Sequence, residues 1–239
     1  MRRSASHPAG KLSAVDEALH IREFWFGPRL LTPPEWGTSG PSGSRDAERY
    51  LLELDRRMQF WFDGGEGAEE RANTDATIAA RFSELLERAC RSELAGWADS
   101  PRRRLSLIIL LDQFPRHIFR GHARAFACDG QALGLTLSGM QSAADGALEL
   151  IERLFFYMPL LHAEDPEVQE ESVVACRRLL SEAPAELRPT FQKTLGFAEA
   201  HRAIVRRFGR FPARNRALGR ITTPEEQTYL ETGGETFGQ

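Results

Sequence analysis

Apolar residues recur at helical spacing along almost the whole chain. Between residues 75 and 91, one stripe follows the i, i+4, i+7, i+8, i+11 spacing of a helix with one apolar face: Ile78, Phe82, Leu85, Leu86 and Ala89. No stretch shows the sustained period-two alternation with β-branched enrichment that indicates a strand. The sequence therefore predicts an all-α protein of about nine helices.

The length and composition fit one large globular domain or two small ones. The chain has 239 residues, of which 41% are hydrophobic, enough to bury a sizeable core. The helical patterns predict a single domain over residues 13–232, with a disordered tail at 1–12 and a second tail at 233–239. Residues 31–45 are rich in Pro, Gly and Ser, which predicts an irregular loop.

Prolines and capping residues set the expected helix ends. Ser100-Pro101 starts an apolar helix, placed at the centre of the fold, which should end before Pro115 because a proline ring disfavours the helix preceding it. Pro159 should end the helix at 147–158 in the same way. Asp165-Pro166-Glu167 and Thr223-Pro224-Glu225-Glu226 predict two further helix starts.

The charge is balanced. A net charge of −3, from 31 basic and 34 acidic residues, argues against a uniformly basic nucleic-acid binder. Lys11 and Lys193 are the two lysines, so nearly all the positive charge is arginine. This bias reflects either a general composition or a use of forked guanidinium groups on carboxylate or phosphate, and both interpretations stay open.

The cysteines and the apolar runs predict a cytoplasmic protein. Cys90, Cys128 and Cys176 are odd in number, widely separated and close to apolar residues, so we expect no disulfide framework and a reducing cytosol. The N-terminal segment lacks the apolar stretch of a secretory signal. The longest apolar run, at 105–111, is too short to span a bilayer, so no membrane partner is expected.

Two stretches place arginine and phenylalanine around proline and glycine. The first runs Asp-Gln-Phe-Pro-Arg-His-Ile-Phe-Arg-Gly over residues 112–121, and the second covers 207–220, from Arg-Phe-Gly-Arg-Phe-Pro to Leu-Gly-Arg. We expect the two stretches to pack together at helix ends and to present polar groups to a ligand. The candidate binding residues are Gln113, Arg116, Arg120, Arg124, Arg207, Arg210, Arg214 and Asn215.

These stretches carry a family resemblance. Together with Phe24-Trp25-Phe26-Gly27 and Thr223-Pro224-Glu225-Glu226, they resemble the uncharacterised bacterial family known as domain of unknown function 924. The resemblance implies an antiparallel, tetratricopeptide-like helical array and brings no established activity. The repeat consensus itself is not visible in the chain, so the array is implied by the resemblance alone.

Arg116, Arg120 and Arg124 are spaced by four and would share one face of a helix. Adjacent cations repel, so such a row needs carboxylates or an anionic ligand. Three interpretations stay open: an arginine–carboxylate network joining helix ends, an anion site shared with the second stretch, and, most weakly, nucleic-acid binding. The candidate carboxylates are Asp112, Asp129, Glu164 and Asp165.

His162 is the best candidate for acid–base chemistry, because histidine titrates near neutral pH. We place it on a loop after Pro159, with Glu164 as its orienting group or as a metal ligand, and Asp112 as a third catalytic candidate. The alternative is that Asp165 only caps a helix and His162 binds a carbonyl. His201 lies on an apolar stripe, typical of a core histidine; its convergence with His162 would favour a metal, although no metal or cofactor is predicted.

Common nucleotide-binding and hydrolase motifs are absent from the sequence: Gly-x-Gly-x-x-Gly, the phosphate-loop Gly-Lys-Ser/Thr, His-Glu-x-x-His and Gly-x-Ser-x-Gly. Three functions remain. The favoured one is a binding module for an acidic small molecule or peptide. The others are a hydrolase or lyase acting on an anionic small molecule, with or without a metal, and a structural interaction scaffold with no small-molecule site.

Overall fold

The computed structural model describes residues 14–37, 41–63 and 67–237, and within these ranges the chain is helical with no β-strand. The predicted all-α class is confirmed. The helices are α1 (Ala14–Leu30), α2 (Pro41–Met58), α3 (Ala68–Cys90), α4 (Pro101–Ile108), α5 (Phe114–Ile118), α6 (Asp129–Gln141), α7 (Leu150–His162), α8 (Pro166–Glu182), α9 (Arg188–Phe208) and α10 (Pro224–Glu231).

The N-terminal part differs from the prediction at the start of its second helix. Within α1, Gly27 has non-helical backbone angles, a φ of 71° and a ψ of 156°, and separates two helical pieces. α2 begins at Pro41, so the last part of the loop predicted at 31–45 is helical. The tail predicted at 1–12 lies outside the described residues.

The core is built around α4 and α7. Eleven consecutive residues of α7, from Ile151 to Leu161, are buried. α4 packs against α1, α6 and α7, and the chain stays buried from Leu105 to Pro115, as its apolar sequence predicts. Buried Glu152 of α7 accepts a hydrogen bond of 2.9 Å from Nε of Arg22 in α1, which compensates both charges inside the core.

Pro115 does not end the helical run, and this prediction was wrong. α4 passes into a π-turn at Ile109–Gln113 and then directly into α5. At the end of that turn the Phe114 N–H donates to the Ile109 carbonyl, five residues back. Pro115 thereby falls in the first turn of α5, where a missing N–H costs little.

Pro159 lies inside α7, so the helix end predicted there was also wrong. α7 continues to His162, which is the last residue of the helix and not part of a loop. A proline removes one backbone hydrogen bond and crowds the preceding turn. The carbonyl that loses its N–H partner is that of Phe155, four residues before the proline. The neighbouring Phe156 carbonyl accepts a hydrogen bond of 2.9 Å from the buried Thr136 hydroxyl.

Cys90 and Cys128 form a disulfide, contrary to the expectation of free cysteines. The two residues are 38 positions apart, but the end of α3 and the start of α6 bring their Cα atoms to 6.2 Å. Sequence separation alone could not reveal this contact. Cys176 is a free, buried thiol in α8.

The two helix starts predicted from capping residues at Asp165 and Thr223 are confirmed. The Asp165 carboxylate accepts hydrogen bonds from the backbone N–H groups of Glu167 and Val168 at the start of α8. Thr223 and Glu226 form a reciprocal capping box at the start of α10. Among the described helices, none is both long and apolar enough to cross a membrane.

Candidate functional site

The first arginine-rich stretch begins inside the π-turn between α4 and α5. Asp112 and Gln113 are the last two residues of that turn. π-turns inserted in helices are frequent at functional positions. Here the turn places the Asp112 side chain fully inside the protein, with no exposed surface.

Three hydrogen-bond donors surround the Asp112 carboxylate. Nδ1 of His162 lies 2.8 Å from Oδ1 and 3.0 Å from Oδ2. The Gln113 amide donates to Oδ2 at 2.5 Å, and Nη1 of Arg116 lies 3.3 Å from Oδ1. The structure therefore brings together Asp112 and His162, two of the three residues predicted to be catalytic.

The charges around Asp112 set the protonation of this pair. Burial alone would raise the pKa of Asp112, but the Arg116 charge and the His162 hydrogen bond hold it well below its usual range. Burial and the Arg116 charge lower the pKa of His162, against the opposing effect of Asp112. At neutral pH, His162 is thus a neutral imidazole that donates from Nδ1 to a carboxylate and keeps Nε2 as an acceptor.

Arg116 is fixed between two carboxylates. Its Nη1 and Nη2 donate to the two oxygens of Asp129, each at 2.9 Å, in a forked arrangement. Nη1 also donates to the Asp112 backbone carbonyl at 2.6 Å. Among the described residues, Nε of Arg116 is buried without a hydrogen-bond partner. Asp129 therefore supplies the counter-charge that the arginine row was expected to need.

Arg214 brings the second arginine-rich stretch to the same place. Its Nη1 donates to the His162 backbone carbonyl at 3.0 Å and lies 3.6 Å from the Asp129 carboxylate. The guanidinium groups of Arg214 and Arg116 lie 4.8 Å and 5.6 Å from the centre of the Phe126 ring. Burial and the Arg116 charge lower the pKa of Arg214 to about 10. The two stretches meet, as the sequence predicted.

A cavity of about 170 Å³ lies beside this cluster. We call it the basic cavity, because three arginines line it and, among the described residues, no carboxylate does. Its polar lining consists of Arg71, Gln113, Arg116, His117, Arg120 and His162. Its other lining residues are Trp61, Phe62, Gly121, Ala125, Phe126, Met158, Ala213, Ala217 and Phe237.

Arg116, Arg120 and Arg124 do not share a helix face. α5 ends at Ile118, and Gly121, with a φ of 76°, turns the chain before Arg124. Arg120 lines the basic cavity and donates to both oxygens of Asp75 at 2.9 Å. Arg124 is not a lining residue; its side chain is 62% exposed, pairs with Glu87 and lies over Phe119.

The other candidates of the second stretch pair with acids away from the basic cavity. Arg207 donates to Glu225 at 2.9 Å, and Arg210 donates to both oxygens of the buried Glu226. The Asn215 amide donates to the same glutamate at 3.2 Å. These contacts join the end of α9 to the start of α10.

Glu164 does not contact His162 through its side chain. It accepts hydrogen bonds from Arg220, at 2.6 and 3.0 Å, and from the Phe211 backbone N–H at 2.8 Å. Burial alone would raise the pKa of Glu164, but these hydrogen bonds outweigh that effect and lower the pKa. The orienting role proposed for Glu164 thus falls geometrically to Asp112.

His201 approaches His162 without forming a metal centre. The two ring centres are 6.4 Å apart. Nδ1 of His201 lies 2.8 Å from the Phe197 carbonyl, the bond of a satisfied core histidine, and the Phe237 ring stacks on its face at 3.6 Å. Within the described residues, no group of three or more His, Cys, Asp or Glu side chains could hold a metal ion.

Several residues of the site were not identified from the sequence. Asp75 lies on α3, 42 and 45 residues from the two side chains it binds, His117 and Arg120. Arg71 precedes it by one helical turn and lines the basic cavity. Phe237 belongs to the predicted C-terminal tail. Only the i, i+4 spacing of Arg71 and Asp75 could have indicated that both lie on one face.

The comparisons with known proteins agree with the resemblance. The family model described as a bacterial protein of unknown function (DUF924) matches residues 21–234. A protein of unknown function from Agrobacterium tumefaciens, ATU0120, has a solved structure that is similar at a TM-score of 0.66 and 34% sequence identity. That match covers 92% of this chain and 100% of the other. No curated protein matches the chain. The chain therefore belongs to the DUF924 family of bacterial proteins of unknown function.

Proposed function

We propose that the protein binds a small molecule carrying a carboxylate or phosphate group, and that the group enters the basic cavity. The observation that carries this proposal is the placement of charge. Arg71, Arg116 and Arg120 line the cavity. The acids that pair with the last two do not line it: Asp112 and Asp129 for Arg116, and Asp75 for Arg120. A preorganised guanidinium group beside a void is a suitable partner for an anion.

The size of the cavity favours a small molecule over a peptide as the group inside it. A volume of about 170 Å³ is below the usual range of roughly 300–1,000 Å³ for drug-sized ligands. A carboxylate or phosphate head group is therefore the proposed occupant. An acidic peptide could present only one side chain there.

The test is a thermal melt against inorganic phosphate, succinate and phenyl phosphate at constant ionic strength. A ligand at 100 times its dissociation constant should stabilise the protein by about 2.7 kcal/mol. Arg120→Gln should remove most of this stabilisation. The matched control is Arg124→Gln, because Arg124 is ion-paired in the same segment and does not line the cavity.

Two results would refute the proposal. The first is an absence of stabilisation by any of the three anions. The second is an equal loss in both arginine variants, which would indicate a general charge effect. Either would move the favoured function to a structural scaffold, in which the arginines only join helix ends.

A second candidate function, an acid–base enzyme acting on the bound anion, is favoured by the Asp112–His162 pair. A neutral imidazole oriented by a buried carboxylate is suited to take a proton from water or substrate. If the protein turns over a bound anion, His162→Asn should lower kcat by about 10²- to 10⁴-fold. An unchanged kcat in that variant would eliminate this candidate.

Other expectations stay predictions. The tetratricopeptide-like arrangement is one, and the exclusion of nucleic acid and membrane partners is another. A cytoplasmic location was inferred from free cysteines, and the Cys90–Cys128 disulfide removes that support.

A further inference from the structure

A second and larger cavity adjoins the basic cavity. Its volume is about 460 Å³, and it lies between the end of α2, α7, α9 and the C-terminal segment at 233–237. We call it the apolar cavity. Its large apolar lining residues are Met58, Phe62, Met158, Leu161, Phe197 and Phe237.

The two cavities are neighbours, since Phe62, Met158, His162 and Phe237 line both. The shared residues include the imidazole that Asp112 orients. A molecule with its charged end against Arg116 would thus pass His162 before reaching the apolar cavity.

The linings of the two cavities differ in charge. Arg71, Arg116 and Arg120 line the basic cavity, whereas Glu235 is the one Asp, Glu, Lys or Arg among the described residues of the apolar cavity. The apolar cavity is also lined by a second histidine, His201. Burial lowers the pKa of His201 to about 3, so this ring is neutral at pH 7. An apolar group would be accommodated here at little electrostatic cost.

Two side chains at the apolar cavity are exposed although they are large and apolar. Phe62 is 45% exposed and Phe197 is 46% exposed. They come from different parts of the chain and meet at one cavity. Phe62 lies in a π-turn at Gln59–Asp63, directly after α2, and Phe197 lies in the middle of α9. Exposed apolar residues that cluster at a concave site are typical of ligand binding.

We propose that the ligand is an amphiphilic anion, with a carboxylate or phosphate head in the basic cavity and an unbranched acyl or similar apolar tail in the apolar cavity. This inference rests on the proposed function, because it requires the head group to bind beside Arg116 and Arg120. It adds the class of ligand, and it places His162 at the junction of head and tail.

The experiment is calorimetric titration of the purified full-length chain with acetate, butanoate, hexanoate and octanoate, and with 1-octanol as the neutral match. Burial of one methylene group corresponds to a gain in affinity of about fourfold, so octanoate should bind at least about 100-fold more tightly than acetate. 1-Octanol should bind far more weakly than octanoate.

Phe197→Ala tests the position of the tail. Phe197 lines the apolar cavity and not the basic one, so octanoate should bind roughly tenfold more weakly to this variant while acetate binds unchanged. Val174→Ala is the matched control. Val174 is 65% exposed on α8 and lines neither cavity, so its truncation should change neither affinity.

Each contrary result has a distinct meaning. Equal affinities for acetate and octanoate would overturn the tail and leave the anion site intact. Equal affinities for octanoate and 1-octanol would refute an amphiphilic anion as the ligand, because the negative charge of the head group would then contribute nothing to binding. If no carboxylate binds and the melts with phosphate, succinate and phenyl phosphate are also flat, the proposed function itself fails.

Discussion

The two arginine-rich stretches have similar compositions but different surroundings. In the first, 112–121, Arg116 and Arg120 are paired with acids and still line the basic cavity. In the second, 207–220, Arg207 and Arg210 pair with acids away from it. Arg214 lies near Asp129, the acid that also holds Arg116, but of this stretch only Ala213 and Ala217 line the cavity.

The difference shows that an ion pair does not by itself assign an arginine to structure or to binding. What matters is whether the arginine itself lines the basic cavity. Asp75 and Asp129 hold their arginines from positions outside the basic cavity. Glu226 instead binds Arg210 within a helix-capping network, and Arg210 does not line the cavity. We therefore expect variants of the first region to change binding and variants of the second to change stability.

The largest expected effect comes from the disulfide beside the first region. Cys128 precedes Asp129, the acid that holds Arg116, and its bond to Cys90 closes a loop of 38 residues. In the chain-entropy account, such a bond stabilises a protein by about 4 kcal/mol. Denaturant unfolding with and without a reducing agent should show a loss of this order, together with weaker anion binding.

The control for reduction is the double variant Cys90→Ala and Cys128→Ala, which should not respond to the reducing agent. Burial raises the pKa of the third thiol, Cys176, to about 12, so it should not contribute at neutral pH. An unchanged unfolding curve for the reduced native protein would show that the disulfide does not support the first region.

Glu226→Ala should give the next largest effect, in the second region. The Glu226 side chain is 3% exposed and accepts hydrogen bonds from Arg210, Asn215 and the Thr223 backbone N–H. Its removal should cost about 3 kcal/mol, because it leaves several donors without their acceptor. Anion binding below the melting transition should be unchanged.

Glu225→Ala is the matched control for this variant. Glu225 is the preceding residue of α10, carries the same charge and pairs with Arg207, but it is 62% exposed. Its loss should cost less than about 1 kcal/mol. Equal costs for the two variants would contradict the structural role assigned to the second region.

The parts of the fold that could be predicted are those set by local contacts. Asp165 and Thr223 cap their helices because a side-chain oxygen meets N–H groups two or three residues later. The same local rules failed at Pro115 and Pro159, where tertiary packing favours a continued helix. In the first case a π-turn accommodates the proline. In the second, α7 stays helical and fully buried through the proline, although one backbone hydrogen bond is missing.

A pH effect of intermediate size should arise where the two regions meet. His201 contacts Phe211 and Phe237 and faces three further titratable groups, His162, Arg116 and Arg214. Burial lowers the pKa of His201 to about 3, against about 6.5 in an unfolded chain. Below pH 6.5 the unfolded state therefore binds one more proton than the native state, so stability falls as the pH is lowered.

The expected loss from this histidine is about 2 kcal/mol between pH 6.5 and 4.5, measured by denaturant unfolding at several pH values. His162, whose pKa is also lowered, adds a loss of the same sign. Glu226, with a pKa lowered to about 2 mainly by Arg210, loses its contribution only below about pH 4.5. His201→Asn should reduce the slope of the unfolding free energy against pH by the equivalent of up to one proton. An unchanged slope would show that His201 is not the titrating group.

The candidate site was only partly predictable, because its contacts join distant positions. Asp112 and His162 were both chosen for their chemistry, but a separation of 50 residues gave no sign that they meet. Closeness in sequence predicts Glu164 as the orienting partner of His162. The short connection between α7 and α8 turns Glu164 toward Arg220 instead. The basic cavity itself has no sequence signal, since it is the space left between packed helices.

The smallest stability effect should accompany a gain of binding in the first region. Asp75→Asn keeps an oxygen that can accept from Arg120 but removes the negative charge that competes with a ligand for it. The Asp75 side chain is 21% exposed and that of Arg120 is 38% exposed, so the lost ion pair should cost no more than about 1 kcal/mol. Anion affinity should rise by roughly fivefold, because one opposing charge next to the cavity is gone. Calorimetric titration with phosphate measures this change.

Glu87→Gln, which frees Arg124 outside the cavity, is the control and should leave the affinity unchanged. A weaker affinity in Asp75→Asn would mean that the ion pair is needed to position Arg120, and that the first region resembles the second more closely than its cavity indicates.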